Sequence, residues 1–190
     1  MELRNWKNSR VQSANSTTAQ QTRLLCERAQ WPDALACAQR WQAEAPTEAK
    51  AFFYEGVALT GLGRFVAAET AYCRALALDA QDFKTWTHLA ALLFDSLSQP
   101  SEGAKCLAQA MLIDPGNPLG WTNLAGMYRH LGRHAQALGC AERALALNPE
   151  LVAAHLHRGR AAQALGRTEV VRSVCEALAQ LPLEKFQRAS

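Results

Sequence analysis

No stretch of this sequence approaches the roughly 18 consecutive apolar residues that a membrane-spanning helix needs. Residues 1–21 contain no apolar segment of the kind that forms the core of a secretory signal peptide. The six cysteines form no C-x-x-C pair, which argues against a zinc ribbon and, without a secretory signal, against a disulfide framework. We therefore expect a cytoplasmic protein with free cysteines and no membrane insertion.

Sequence motifs of the common enzyme classes are also missing. The chain contains no GxGxxG loop, P-loop, GxSxG elbow or HExxH helix, so nothing nominates a nucleophile, a phosphate cradle or a metal-bound base. Two histidine pairs raise the possibility of zinc, but a Leu-Gly turn separates His130 from His134, and His155 and His157 point to different helix faces. We expect no enzyme activity, no metal and no cofactor.

The charge of the chain is mild. Twenty Lys and Arg side chains against 17 Asp and Glu give a net charge of +3, which is too small to indicate nucleic acid binding by itself. The apolar fraction of 49% is that of a folded protein rather than a disordered one. Composition thus describes a folded protein without pointing to a ligand.

What the sequence does contain is a repeat of about 34 residues. The segment at 62–81, LGRFVAAETAYCRALALDAQ, shares its Leu-Gly start and its RALAL end with LGRHAQALGCAERALALNPE at 131–150. Turn signals recur at Asp79, Asp114 and Asn148, which are 35 and 34 residues apart. A period of this length indicates an array of small supersecondary units.

Each unit reads as two helices joined by a tight turn. Between the turn signals the apolar residues follow a helical spacing, as at Trp121, Leu124 and Tyr128. An internal Leu-Gly pair ends the first helix, because glycine tolerates the backbone conformation that follows a helix. Pro115 and Pro149 stop the second helix. The pattern therefore predicts antiparallel helix pairs.

This pattern resembles the tetratricopeptide repeat (TPR) family. The clearest unit lies at 118–151 and carries, in the family's order, Trp121, Leu124, Ala125, Tyr128, Leu131, Gly132, Ala137, Ala141, Ala144 and Pro149. The units at 49–82 and 83–117 carry the pattern as well, the second with one extra residue in its central turn, DSLSQPSEG. The unit at 152–183 diverges, since His155 breaks the aromatic slot and we expect its central turn to be one residue short.

The resemblance implies the fold and the organisation of the whole chain. We expect an all-α protein, a right-handed α-solenoid of antiparallel helix pairs (a TPR superhelix) with about four to five repeats. A degenerate helix pair at 20–48 precedes the clear repeats. A polar, flexible segment at 1–19 and a tail at 184–190 flank the array. Small residues at the helix contacts permit the close approach of such pairs.

Four cysteines share the period of the repeat. Cys73, Cys106, Cys140 and Cys175 are 33, 34 and 35 residues apart and fall on the second helices. At a similar phase in adjacent repeats they would lie about 9 Å apart, which is beyond the reach of a disulfide. We interpret them as small apolar packing residues.

In TPR proteins the first helices line a concave groove that takes extended or helical peptides, and the resemblance implies the same groove here. The helical period then assigns its lining to Lys50, Phe53, Tyr54, Val57, Lys84, Thr87, His88, Ala91, Phe94, Leu119, Thr122, Asn123, Gly126, Arg129, Leu156, His157, Arg160 and Gln163. This face is aromatic at one end and becomes cationic through Lys84, Arg129 and Arg160. We predict a partner segment that combines apolar and acidic residues.

The groove does not match the co-chaperone TPR subclass that grips a chaperone's C-terminal carboxylate. That subclass uses lysines, asparagines and an arginine at five slots. In the first register this chain has Phe53, Val57, His88, Leu119 and Asn123 there. We therefore do not expect a carboxylate clamp of that kind.

The expected function is a non-catalytic protein-protein interaction scaffold or adaptor, in the assembly of a bacterial complex. Two alternatives are a secretion-type chaperone that holds an export substrate and a targeting module of a larger enzyme such as a glycosyltransferase or hydroxylase. RNA binding is disfavoured because the groove lacks dense basic charge interleaved with stacking aromatics. Self-association through the terminal repeat, with Leu183 and Phe186, and folding of Trp6 into a groove are both open.

Overall fold

The computed structural model describes residues 17–182, which contain helices and turns and no strand. The helices are α1 at 17–27, α2 at Trp31–Glu44, α3 at Ala49–Gly61, α4 at Phe65–Leu78, α5 at Phe83–Ala91, α6 at Pro100–Ile113, α7 at Pro118–His130, α8 at His134–Leu147, α9 at Val152–Ala164 and α10 at Thr168–Gln180. Of the predicted N-terminal segment 1–19, residues 17–19 are helical and the rest lies outside the described residues. The predicted tail at 184–190, with Leu183 and Phe186 beside it, also lies outside them.

The turn inside each helix pair passes through one residue in the left-handed backbone region. Three of these residues are glycines, Gly63, Gly132 and Gly166, with φ of 72°, 70° and 70°. Ala29 and Ser98 take the same conformation with φ of 55° and 54°. Glycine adopts this region without steric cost, whereas an L side chain does not, so these last two turns carry backbone strain.

The extra residue of the segment 83–117 lies inside a helix rather than in the turn where the sequence analysis placed it. Leu92–Ser96 form a π-helical turn that continues α5. The Leu97 N–H donates to the Leu92 carbonyl at 3.1 Å, a bond across five residues instead of four. A single inserted residue is absorbed by this wider turn, and Ser98 then occupies the position of the turn glycine.

The described residues form two compact units, divided between Leu97 and Ser98. In unit 1, α2 packs against α3, α3 against α4 and α4 against α5. In unit 2, each of α6 to α9 packs against the next helix, and α7 also contacts α9. The division falls inside the segment 83–117 that the sequence analysis treats as one repeat. No helix of the described residues is both long and apolar enough to span a bilayer.

Small residues allow the helices to approach closely. Alanines on the second helices, such as Ala68, Ala75, Ala137 and Ala144, are at most 1% exposed. Gly56 on α3 faces the Tyr72 ring so closely that a Cβ atom built there would lie 2.5 Å from Tyr72 Cε1. The helix contact is therefore set by residues whose side chains are short or missing.

The aromatic slot of the repeat is held by one recurring hydrogen bond. Trp121 Nε1–H donates to the Pro115 carbonyl at 2.8 Å, and Trp86 makes the same bond with the carbonyl six residues before it. His155 does not break the slot, as the sequence analysis expected. Its side chain is 6% exposed, and its Nε2 lies 2.8 Å from the Pro149 carbonyl, so the imidazole reproduces the tryptophan contact.

The last repeat differs from its prediction in a second way. Gly166 follows Gly132 by 34 residues, so the central turn of this repeat has the normal length. Instead, α10 buries Val174, at 4% exposure, while Val171 and Leu178 occupy positions where α8 has alanines. Because those two side chains are bulkier than alanine, α10 presents a face shifted by one residue to α9.

All six cysteines are free, but the four periodic ones do not share one environment. Cys140 is buried, Cys106 is half-buried, and Cys73 and Cys175 are exposed. Spacings of 33, 34 and 35 residues shift the position by one residue per repeat, and each residue turns about 100° around a helix. Burial raises the pKa of the Cys140 thiol to about 11. This thiol is therefore a packing group.

Candidate functional site

The first helices of three successive pairs, α1, α3 and α5, line one cleft of about 570 Å³ in unit 1. We call it the unit 1 cleft. Its lining includes six residues that the sequence analysis assigned to the groove, Phe53, Tyr54, Val57, Lys84, Thr87 and His88. Arg23, Cys26, Glu27 and Phe83 complete it. The helical period thus located the walls contributed by α3 and α5.

The start of α5 is fixed by a capping carboxylate. Asp82 is the residue before the helix, and its side-chain oxygens accept from the backbone N–H groups of Lys84 and Thr85, each at 3.3 Å. A capping aspartate satisfies donors that have no partner within the helix. This cap orients the first turn of α5, so that Phe83, Lys84, Thr87 and His88 line the cleft together.

Aromatic rings form the floor of the unit 1 cleft. Phe53 is 9% exposed and lies at its centre. Its ring centroid is 5.1 Å from that of Tyr54 and 5.0 Å from that of His88, both in edge-to-face geometry, and 6.1 Å from that of Tyr72. Such contacts restrict the rings to one arrangement, so the floor is formed before any ligand arrives.

The polar groups of this floor are neutral near pH 7. Burial lowers the pKa of His88; Asp82 opposes this shift and Lys84 adds to it. The imidazole is exposed on one side only, because Phe53 and Tyr72 rings cover another side. Burial raises the pKa of the Tyr72 phenol to about 12. The floor therefore presents apolar and uncharged surface.

Charged groups surround the floor. Arg23 and Glu27 on α1 pair with each other at 3.3 Å, and both side chains are more than half exposed. Lys84 forms no ion pair with any carboxylate of residues 17–182. Glu55, which the sequence places beside the groove, accepts from the Gln42 Nε2 at 2.8 Å on α2. Lys84 is thus the cation of the cleft that is left for a ligand.

The sequence analysis missed the contribution of α1. Arg23, Cys26 and Glu27 follow the i, i+3, i+4 spacing of one helix face, which is the signal that could have found them. The repeat that contains them is degenerate and was not searched for groove residues. Burial, followed by Cys37 and Glu27, raises the pKa of Cys26 to about 11. The thiol in the cleft is therefore protonated.

Two predicted residues of unit 1 lie outside this cleft. Lys50 lines a smaller neighbouring cleft of about 300 Å³ with Arg23, Trp41 and Tyr54. Phe94 is half-buried in the π-helical turn and is not part of the lining. The wider π-helical turn changes the phase of the helix after Ala91, which moves Phe94 off the predicted face.

In unit 2 the predicted residues lie on α7 and α9, which contact each other. Leu119, Asn123 and Arg160 are exposed, and Arg129 and His157 are half-buried. Thr122 is wrongly predicted as a surface residue. It is 4% exposed, and its hydroxyl donates to the Pro118 carbonyl at 2.9 Å within the same helix.

His157 sits directly on the backbone of α7. A Cβ atom built on Gly126 would lie 3.3 Å from both Cε1 and Nε2 of the imidazole, so the missing side chain makes room for the ring. Burial lowers the pKa of His157, and the nearby Arg129 and Arg160 guanidinium groups lower it further. We call Asn123, Arg129, His157 and Arg160 the unit 2 cationic face.

Metal binding has no support in the part of the chain that the structure describes. Within residues 17–182 no group of three His, Cys, Asp or Glu side chains is arranged to hold a metal ion. His130 ends α7 and His134 begins α8, on opposite sides of the Gly132 turn.

Residues 118–151 match the family model of the tetratricopeptide repeat. This segment is a TPR. Solved structures extend the likeness to the whole fold. MamA is 16% identical over 92% of this chain and 92% of its own, with a TM-score of 0.75. A MamA fragment, 41-end, from Desulfovibrio magneticus RS-1 is 19% identical over 91% of this chain and 97% of its own, with a TM-score of 0.70.

YrrB, described as a TPR protein with an unusual peptide-binding site, is 16% identical over 84% of this chain and 82% of its own, with a TM-score of 0.73. No curated protein sequence matches the chain. Sequence identities this low establish the fold alone. The predicted all-α TPR fold is confirmed, and the segment 118–151 is the repeat that the family model also finds.

Proposed function

We propose that this TPR protein is a non-catalytic adaptor that binds a peptide segment of a partner protein in the unit 1 cleft. The observation that carries the proposal is a preformed cleft of about 570 Å³ with an aromatic floor, lined by three first helices. Its volume lies within the range of typical ligand sites. The fold-level likeness to YrrB, a TPR protein with a peptide-binding site, supports the same reading.

The lining of the cleft defines the partner's chemistry. Phe53, Tyr54, Val57 and Phe83 offer apolar contacts for one or two anchoring side chains. Lys84 offers a charge without an internal partner, which favours an acidic residue close to the anchor. We propose a partner segment with apolar and acidic residues, in the assembly of a bacterial complex in the cytoplasm. Missing catalytic motifs support a role without catalysis.

A pair of matched threonines tests the cleft. Thr87 and Thr70 each donate their hydroxyl to the carbonyl four residues earlier on their own helix, at 2.9 and 3.1 Å. Thr87 lines the unit 1 cleft, whereas Thr70 is exposed on α4 and lies outside it. Replacing either by Glu changes the same local bond and adds the same charge, but only Thr87→Glu places that charge in the cleft.

The experiment begins with peptides selected on the full chain from a random phage-displayed library and measures their affinity by fluorescence polarisation. We expect Thr87→Glu to weaken binding about tenfold or more, because it adds a carboxylate to an apolar site that takes acidic segments. Thr70→Glu should stay within about twofold of the unaltered chain. Equal affinities of the two variants, or a selection that enriches no binder, would refute the proposal.

A further inference from the structure

The two helices that form the unit 2 cationic face carry no acidic residue. Neither Pro118–His130 nor Val152–Ala164 contains an Asp or Glu, while they present Arg129, His157 and Arg160. Within residues 17–182 neither of these arginines forms an ion pair. Uncompensated cations side by side repel each other, and a bound anion would relieve that repulsion.

The other arginine of α9 shows what a neutralised cation looks like in this unit. Arg158 lies 3.9 Å from Glu142 on α8 and donates to the Ser173 hydroxyl on α10 at 3.2 Å. Its charge is thus used between helices of unit 2. Arg129 and Arg160 have no such partner, so their charges remain available to a ligand.

Two nitrogens of the cationic face are covered without being satisfied. Arg129 Nε and His157 Nδ1 are buried atoms that have no hydrogen-bond partner among residues 17–182. A buried polar atom without a partner costs free energy, which an incoming acceptor can recover. The packing of the His157 ring on Gly126 holds this arrangement in place. The face is therefore organised before a ligand binds.

Exposed leucines lie on the same two helices. Leu119 on α7 is 60% exposed and Leu156 on α9 is 42% exposed. Along α7, Leu119 and Arg129 are ten residues apart, which corresponds to about 15 Å at 1.5 Å per residue. An extended peptide covers that distance in about four to five residues. The spacing suits a ligand with an apolar residue and an acidic residue about four positions apart.

We infer that Asn123, Arg129, His157 and Arg160 form a second binding site, which takes an acidic side chain of a peptide segment. The site lies in unit 2 and is distinct from the unit 1 cleft. It rests on the proposed function in one respect, that the partner is a peptide. Arginine is well suited to this role because its planar guanidinium donates two parallel hydrogen bonds to a carboxylate.

The test titrates the full, ¹⁵N-labelled chain with a synthetic peptide in which Leu is followed, four positions later, by Asp-Glu on a Gly/Ser spacer. The side-chain Nε–H signals of Arg129 and Arg160 and the side-chain amide of Asn123 report binding directly by NMR. A matched peptide carries Asn-Gln in place of Asp-Glu. Inorganic phosphate at equal ionic strength is the third probe and separates a peptide carboxylate from a free anion.

We expect the Asp-Glu peptide to shift these three signals with a Kd about tenfold lower than that of the Asn-Gln peptide, because a hydrogen bond to a charged group contributes at least that factor. The double variant Arg129→Gln/Arg160→Gln should lose about the same factor. Arg172→Gln is the matched control, since Arg172 is an exposed arginine on α10. It should stay within about twofold. Circular dichroism melting verifies that each variant is folded.

Three results would overturn the inference. They are equal affinity for the two peptides, phosphate binding as tight as that of the acidic peptide, or an unchanged Kd in the double arginine variant. The single variant Arg160→Gln, at an exposed position, gives the same answer if the double variant is poorly folded. Thr87→Glu should leave this titration unchanged. If Thr87→Glu abolishes binding and the arginine variants do not, the unit 2 site is refuted and the unit 1 cleft stands.

Discussion

Two glycines in helix interiors should respond to the same substitution with opposite signs. Gly56 lies within α3 and Gly139 within α8. A Cβ atom at Gly56 would meet three atoms of the Tyr72 ring at 2.5 to 2.9 Å, whereas one at Gly139 would have no neighbour within 4 Å. We predict that Gly56→Ala destabilises the protein and that Gly139→Ala stabilises it.

The magnitudes follow from the surroundings of each site. Replacing Gly by Ala inside a helix gains about 0.8–1 kcal/mol of intrinsic helix preference, and Gly139→Ala should keep all of it. At Gly56 the new methyl lies more than an ångström inside normal carbon contact distance. Overpacking of this kind costs about 1–3 kcal/mol, so the net effect of Gly56→Ala should be a loss of about 1–2 kcal/mol.

Tyr72 cannot easily move out of the way. It is 1% exposed, its ring contacts those of Phe53 and His88, and its hydroxyl lies 3.4 Å from Thr60 Oγ1. A shift of this ring would disturb the floor of the unit 1 cleft. Gly56→Ala should therefore also weaken the binding of peptides selected on that cleft, while Gly139→Ala should not.

Thermal unfolding and native-state hydrogen exchange measure these effects. For a chain of 190 residues, 1 kcal/mol corresponds to a change of about 2–4 °C in Tm. Exchange of the α3 and α4 amides locates the loss in unit 1. In a Tyr72→Leu background, which lacks the ring atoms, Gly56→Ala should no longer be destabilising beyond its additive value. A rise in Tm for Gly56→Ala in the unaltered chain would refute the packing argument.

Two further predictions concern the backbone and pH. Ser98→Gly should raise the free energy of unfolding by about 0.5–1 kcal/mol in urea denaturation, because φ at this position is 54°; the converse change Gly63→Ala, at φ of 72°, should lower it, and a loss in Ser98→Gly would contradict the strain. The pKa values of His88 and His157 are lowered by folding, so their contribution to stability is complete above pH 6.5 and is lost as pH falls from 6.5 toward the folded pKa. The difference in Tm between pH 7.5 and pH 5.5 should therefore be smaller in His88→Gln/His157→Gln than in the unaltered chain, and an unchanged difference would count against this.

Part of the candidate site could be predicted because it repeats. Phe53, Val57, Lys84 and His88 recur at helical spacing on the first helices, and all four line the unit 1 cleft. The α1 wall could not be found in this way, since its repeat has lost the marker residues. Thr122 was placed on the surface by periodicity alone, although neighbouring helices cover it to 4% exposure.

The last repeat shows the limit of slot matching. His155 departs from the aromatic pattern, yet its Nε2 contacts the Pro149 carbonyl at 2.8 Å as a tryptophan nitrogen does. The sequence records residue types, whereas the contact depends on where a hydrogen-bond donor lies. In α10 the reverse holds, because bulkier residues at alanine positions change which face is buried.

The sequence by itself determined the helix pairs, their turns and the small residues at their contacts. These are local requirements, since a left-handed turn favours glycine and close helix packing favours alanine wherever they occur. Only the tertiary structure decided which side chains gather into the unit 1 cleft and which charges remain unpaired. Both depend on neighbours far apart in the sequence, as when Glu142 neutralises Arg158 while Arg129 and Arg160 stay free of any described carboxylate.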